Sequence, residues 1–110
     1  GGKLDRVSHS YCGISALSLM KRFSIDKAFF SCNGLDLERG ASEVAEIHAE
    51  FKENSLSICR EKILLCDSSK FGVQSLRFFC DINSIDTVIT DSAADPDFLD
   101  KLRKSGINVL

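Results

Sequence analysis

Two short apolar runs in this chain stop in the same way. Lys62-Ile63-Leu64-Leu65-Cys66 ends at Asp67-Ser68, and Thr87-Val88-Ile89-Thr90 ends at Asp91-Ser92. A continuous apolar run this short, closed by polar turn residues, is the pattern of a strand covered on both faces. Lys27-Ala28-Phe29-Phe30-Ser31 reads as another such strand, ending at Cys32-Asn33-Gly34, where Asn-Gly tolerates the positive φ of a tight turn. Ile107-Asn108-Val109-Leu110 reads as the last strand.

The segments between these runs have helical spacing. From Ser10 onward the pattern turns helical, with Ala16, Leu19, Met20 and Phe23 falling on one face. Gly40 to about Glu61 reads as the longest helix, lined on one side by Val44, Ile47 and Phe51. The final helix is the most fully punctuated. Asp95 is its N-cap, Pro96 fits the first position, and Asp97 and Asp100 favour the positive helix start. Phe98, Leu99 and Leu102 form its apolar stripe, and Gly106 stops it. The residues between the two runs at Cys66 and Thr87 read as irregular. Strands alternating with helices predict a parallel sheet with helices packed on its faces. Ligands in open sheets of this kind collect beyond the carboxyl ends of the strands. Three loops lie there: Asn33 to Asp36, Asp67 to Gly72, and Asp91 to Ala94.

Composition narrows the function. A chain of 110 residues with 44% hydrophobic residues has room for one domain with a proper core. A net charge of −2 and scattered Lys and Arg do not make a nucleic-acid footprint. The densest basic group, Lys101-Leu102-Arg103-Lys104, complements the negative end of the final helix. The five cysteines, at 12, 32, 59, 66 and 80, are odd in number and show no CxxC spacing. Cys32, Cys66 and Cys80 sit in or beside apolar runs. The reading is a reduced, cytoplasmic protein with no metal site and no cofactor. No run is long enough for a membrane span, and no signal peptide opens the sequence.

Three segments carry a family resemblance. They are Asp26-Lys27-Ala28-Phe29-Phe30 with Asn33-Gly34-Leu35, then Leu65-Cys66-Asp67-Ser68-Ser69-Lys70-Phe71-Gly72, then Ile85-Asp86-Thr87-Val88-Ile89-Thr90-Asp91. In this order and at this spacing they resemble the C-terminal effector domain of the DeoR/GlpR family of bacterial transcription regulators. Gly1-Gly2 resembles a Gly-Gly pair found upstream in that family. The resemblance covers essentially the whole chain. It implies a three-layer α/β fold with a parallel sheet, like that of ribose-5-phosphate isomerase (the NagB/RpiA/CoA transferase-like group). It also implies sugar-phosphate ligands, homo-oligomers, and DNA contact only through a winged helix-turn-helix that these 110 residues do not include. By the same likeness residues 1–110 are an N-terminally truncated effector domain, without the family's early phosphate-holding turn.

The candidate ligand-binding residues are Lys70, Asp36, Asn33, Gly34, Arg39 and Asp67. Lys70 follows a strand and a two-Ser turn, where an ammonium reaches a phosphate, and the resembling isomerases hold a Lys in their sugar-phosphate pocket. Without that likeness a solvated loop Lys is the plainer reading. Asp67 either accepts hydrogen bonds from a sugar hydroxyl or caps the turn through the N–H groups of Ser69 or Lys70. Arg39 either forks onto a phosphate or lies on the surface. Asp91 and Ser92 divide in the same way between pocket and turn. His9, His48 and Cys12 have no recognisable partner and receive no role.

The enzyme question turns on Asn33-Gly34-Leu35-Asp36-Leu37. The resembling isomerases carry Asp-Gly-Ala-Asp-Glu at this turn; here Asn33 and Leu37 replace two of the carboxylates. Moving a proton between adjacent carbons needs a carboxylate base near the carbon acid. Glu43 and Glu46, placed on the next helix, read as solvated surface. The expectation is therefore recognition without catalysis. An active sugar-phosphate isomerase is the alternative, and a scaffold without ligand is a third reading.

Overall fold

A computed structural model describes residues 26–110 in full, together with the strand backbones Lys3–Asp5, Ser10–Cys12 and Ile25. The first two strands, β1 (Lys3–Asp5) and β2 (Ser10–Cys12), pair antiparallel. The residues from Ser10 to Cys12, expected to begin a helix, are thus extended. The predicted helical face of Ala16, Leu19, Met20 and Phe23 lies outside the described residues, as does His9.

The expected parallel sheet is present. It has four strands in the order β3 (Ile25–Phe30), β6 (Cys59–Leu65), β8 (Thr87–Ile89) and β9 (Asn108–Val109). Phe30 pairs with Leu64, Leu64 with Val88, and Val88 with Val109, so these residues share one face. That face is the core. Leu64 and Val88 are fully buried on it, each worth about 1.5–3 kcal/mol of transfer energy. The opposite face is less covered than a doubly buried strand requires, because Phe29 and Leu65 remain 61% and 44% exposed.

A second sheet was not anticipated. Between the parallel strands the chain forms β4 (Gly34–Asp36), β5 (Gly40–Glu43) and β7 (Arg77–Cys80), an antiparallel sheet in that order. Two expectations fall with it. Gly40 does not open a helix; it takes φ +94°, and a Cβ there would lie 2.0 Å from the carbonyl oxygen of Cys80. Only glycine fits this close approach of two backbones. The stretch after Gly72 is not wholly irregular either, because Phe79 and Cys80 bury themselves on β7.

Helix α1 spans Glu46–Leu56, about half the predicted length, and packs chiefly on β7 and β5. It begins after Ala45 with no side-chain cap, and the residues from Cys59 onward belong to β6. Its buried residues are Ala49 and Leu56. Val44, outside the helix, and Ile47 are both exposed, so the predicted apolar face is not the packed one. Helix α2 (Pro96–Lys104) follows the sequence reading closely. Asp95 accepts a hydrogen bond from the Asp97 N–H, Pro96 opens the first turn, Leu102 is buried, and Gly106 follows at φ +87°. Ion pairs Lys101–Asp97 and Arg103–Asp100 account for two members of the basic group.

Candidate ligand site

The three loops singled out from the sequence leave the same edge of the parallel sheet, and hydrogen bonds tie them together. Asp67 caps a 3-10 turn, Ser68–Lys70, by accepting from the N–H of Ser69 at 3.0 Å and from its hydroxyl. This turn is the hub. The Ser68 N–H donates to Asp91 Oδ2 at 2.9 Å, joining the loop after β6 to the loop after β8. On the other side, the Gly72 N–H donates to the Leu35 carbonyl at 2.8 Å, and Leu35 and Phe71 form a parallel bridge. Gln74 Nε2 donates to Asp36 Oδ1 at 3.0 Å. Phe71 stacks on Phe98 of α2, with ring centroids 4.3 Å apart and planes 9° apart.

The candidate residues divide into two groups. Most of the polar ones are already engaged. The second oxygen of Asp36 accepts from the N–H groups of Glu38 and Arg39, closing the turn between β4 and β5. Asn33 Oδ1 accepts from the Val44 N–H at 3.0 Å, holding the start of β4 against the end of β5. Gly34 does not adopt the positive φ expected of an Asn-Gly turn. It is required for another reason: a Cβ there would lie 2.2 Å from the Val73 carbonyl oxygen. Arg39 is exposed and lays its guanidinium over the Phe78 ring at 4.1 Å from the centroid, a cation–π contact on β7. Lys70 is the exception. Half-buried on the hub turn, its ammonium has no carboxylate within 4.0 Å among the described residues.

Electrostatics follow from these bonds. Donation from Gln74, then from the Arg39 N–H, holds the Asp36 carboxyl below the usual carboxylate range. The Ser69 hydroxyl, then its N–H, does the same for Asp67, and the Ser68 N–H does so for Asp91. Three ionised carboxylates therefore line the strand ends, each fixed by donors from its own loop or the next one.

Three features were missed in the sequence. Glu43, read as solvated helix surface, lies on β5, is 8% exposed, and pairs with Lys52. Lys52 also donates to the Ser31 carbonyl at 2.7 Å, tying α1 to the end of β3. Glu46 and Glu53 are bridged by Arg77 at 3.0 and 3.1 Å, which holds the Glu53 carboxyl low and the Arg77 guanidinium high. Glu43, Glu46 and Glu53 are thus paired with cations. Their signal was the shared period of Glu46, Glu50 and Glu53; of their partners, Lys52 lies on α1 itself and Arg77 comes from β7, distant in sequence. The hydroxyl of Thr90, where β8 ends, is buried with no partner among the described residues.

The polar loops of this α/β domain, tied together beyond the carboxyl ends of a parallel sheet, stand where open sheets of this kind collect ligands. The chain belongs to the DeoR C-terminal sensor domain family, whose pattern matches residues 1–92. It is 34% identical over its whole length to an Escherichia coli O157:H7 protein named as an aga operon transcriptional repressor, of which it covers 41%. It is 33% identical over its whole length to the HTH-type transcriptional regulator GlpR of Haloferax volcanii, covering 43% of it. With the HTH-type transcriptional repressor GlcR of Bacillus subtilis the identity is 29% over the whole chain and 42% of that protein. The chain therefore spans about two fifths of the length of these relatives. They are named as regulators and repressors of transcription. No helix among the described residues is long and apolar enough to cross a membrane.

Proposed function

We propose that this chain is the effector-sensing part of a cytoplasmic transcription repressor, and that it binds a phosphorylated sugar or a related anionic metabolite at the hub turn. The observation that carries this reading is Lys70. Around it, Asp36, Asp67 and Asp91 are satisfied by loop donors, whereas the Lys70 ammonium has no carboxylate partner among the described residues. An uncommitted cation on a rigid turn at the sheet's carboxyl edge suits a phosphate or other anion. The Asp36 and Asp67 side chains act as the frame of the cup, Asn33 and Gly34 seat its loops, and Arg39 stands at its rim.

Proton transfer is not part of this reading. Glu43 and Glu46 are bound to Lys52 and Arg77, and Leu37 supplies no carboxyl; Glu38, the carboxylate left beside the Asn33 turn, is exposed to solvent rather than held in a pocket. The resemblance to ribose-5-phosphate isomerase is one of fold plan and recognition, with the three-layer arrangement completed by residues outside this chain. DNA contact belongs to a separate helix-turn-helix segment of the longer protein, which acts as a homo-oligomer. Ligand binding alters operator affinity by favouring one of two states of the assembly.

Thermal-shift screening against phosphorylated sugars tests the reading, because a ligand that binds only the native state raises its stability. A rise with one sugar phosphate and none with the parent sugar is expected. A flat panel would favour the scaffold reading, and turnover of ribose 5-phosphate would favour the isomerase.

A further inference from the structure

Beneath the hub turn lie two cysteines that the ligand reading does not use. Cys32 and Cys66 each stand two residues past the paired Phe30 and Leu64, so the register of β3 and β6 sets them side by side. Their sulfurs are 3.8 Å apart. Neighbouring strands run about 4.8 Å apart, within the Cα separation that a disulfide spans. Both side chains lie on the core face, 7% and 5% exposed, and each immediately precedes a site loop, at Asn33 and at Asp67.

From this geometry we infer that Cys32 and Cys66 are a peroxide-reactive pair that closes to a disulfide across the base of the ligand loops.

The two thiols differ in character. Cys32 is the attacking group: the Cys66 thiol beside it, with the Lys52 ammonium and the Gly34 backbone, favours its thiolate against the opposing pull of burial and of the Glu43 carboxylate, and its pKa is lowered. Cys66 keeps its proton, its pKa pushed up by the contact with Cys32 and by burial. Attack of the Cys32 thiolate on hydrogen peroxide breaks the O–O bond, leaving Cys32 as sulfenic acid and releasing hydroxide. The Cys66 sulfur then attacks the sulfenic sulfur, the S–O bond breaks, and the Cys66 proton leaves with the oxygen as water. Two thiols and one peroxide give one disulfide and two waters. The other described cysteines lack this arrangement. Cys59 points its thiol at the Leu56 carbonyl and Cys80 at the Asp81 carbonyl, and burial pushes the Cys80 thiol up to about 11.

The bond would draw the sulfurs together and pin the Asn33 loop to the Asp67 loop at their roots. The test is peptide mapping of the native protein after exposure to hydrogen peroxide, with free thiols blocked before digestion. The expected result is a linked peptide joining Cys32 to Cys66, reversed by dithiothreitol, with Cys59 and Cys80 recovered as blocked thiols. In Cys66→Ser, Cys32 should instead trap dimedone as a sulfenic acid. The inference is overturned if the pair is recovered as free thiols while other cysteines react, if Cys32 links to another cysteine, or if no thiol reacts under native conditions. None of these readings depends on a sugar phosphate binding, so the two proposals fail separately.

Discussion

Replacing Gly34 with alanine tests how the hub turn is held. A Cβ at this position would lie 2.2 Å from the Val73 carbonyl oxygen and 2.8 Å from its carbon, whereas ordinary contact begins at 3.4 Å. Both atoms are backbone and cannot rotate away. The loop from Gly72 to Ser75 must therefore retreat by roughly an ångström, a shift that the close packing of this face does not absorb. Two bonds lie on that path: Gly72 N–H to the Leu35 carbonyl at 2.8 Å, and Ser75 N–H to Ser42 Oγ at 2.9 Å. Each contributes about 1 kcal/mol net, and more if the donor is left unsatisfied. The reduced freedom of the unfolded alanine chain offsets about 0.5 kcal/mol. The expected loss is about 2 kcal/mol, or a Tm lower by about 8 °C at this chain length. Urea unfolding measures the first, and hydrogen exchange at the Gly72 amide reports the broken bond. Gly72→Ala is the matched control. Its φ is +77°, but nothing among the described residues lies within 4 Å of the new Cβ, so it costs only the left-handed backbone, about 1 kcal/mol. A Gly34→Ala protein within 0.5 kcal/mol of the parent, with the Gly72 amide still protected, would refute the reasoning.

Other perturbations have equally definite outcomes. Asp95→Ala removes the N-cap of α2 and should cost about 1 kcal/mol in urea unfolding, while Asp97→Asn, one donor away, should cost less. Lys52→Met leaves Glu43 as a largely buried carboxylate without its cation and should cost about 3 kcal/mol; adding Glu43→Gln should recover part of it in a double-mutant cycle. Acid unfolding has a fixed sign. Asp36, Asp67 and Asp91 all titrate below their ordinary value in the folded protein, so the stability they confer is full above about pH 4 and is lost as pH falls through the folded values. Removing the three carboxyls together as Asn should flatten that limb of the stability-versus-pH curve.

The parallel sheet was legible because its strands are continuous apolar runs closed by Asp-Ser or Cys-Asn steps, a local signal. Helix α2 was legible for the same reason, since Asp95, Pro96 and Gly106 act within a turn of their own positions. The antiparallel sheet was not. Strand β5 has four residues, Gly40–Glu43, and its partners β4 and β7 are what make it a strand. Read alone, Val44, Ile47 and Phe51 imitate a helix face, and the uncapped start at Ala45 gives no warning. The sequence reading did find the residues at the strand ends. Their division of labour was hidden, because Asp36 and Gln74 stand 38 positions apart and meet only after β4 docks on the loop beyond Lys70. Glu43 was misjudged for a related reason: its cation, Lys52, comes from almost two turns into α1, and its strand partner is Arg77 on β7.

The central claim is that the loops after β3, β6 and β8 form one anion-binding cup around Lys70. Backbone amide shifts followed by NMR during titration with a phosphorylated sugar that raises the Tm test it most directly. The account predicts that the moving amides fall in residues 33–36, 67–72 and 91–94, and that Lys70→Ala weakens binding at least tenfold while the protein remains folded. Shifts confined to the cleft between Lys62, Phe78 and Asp81, or full affinity in Lys70→Ala, would contradict it.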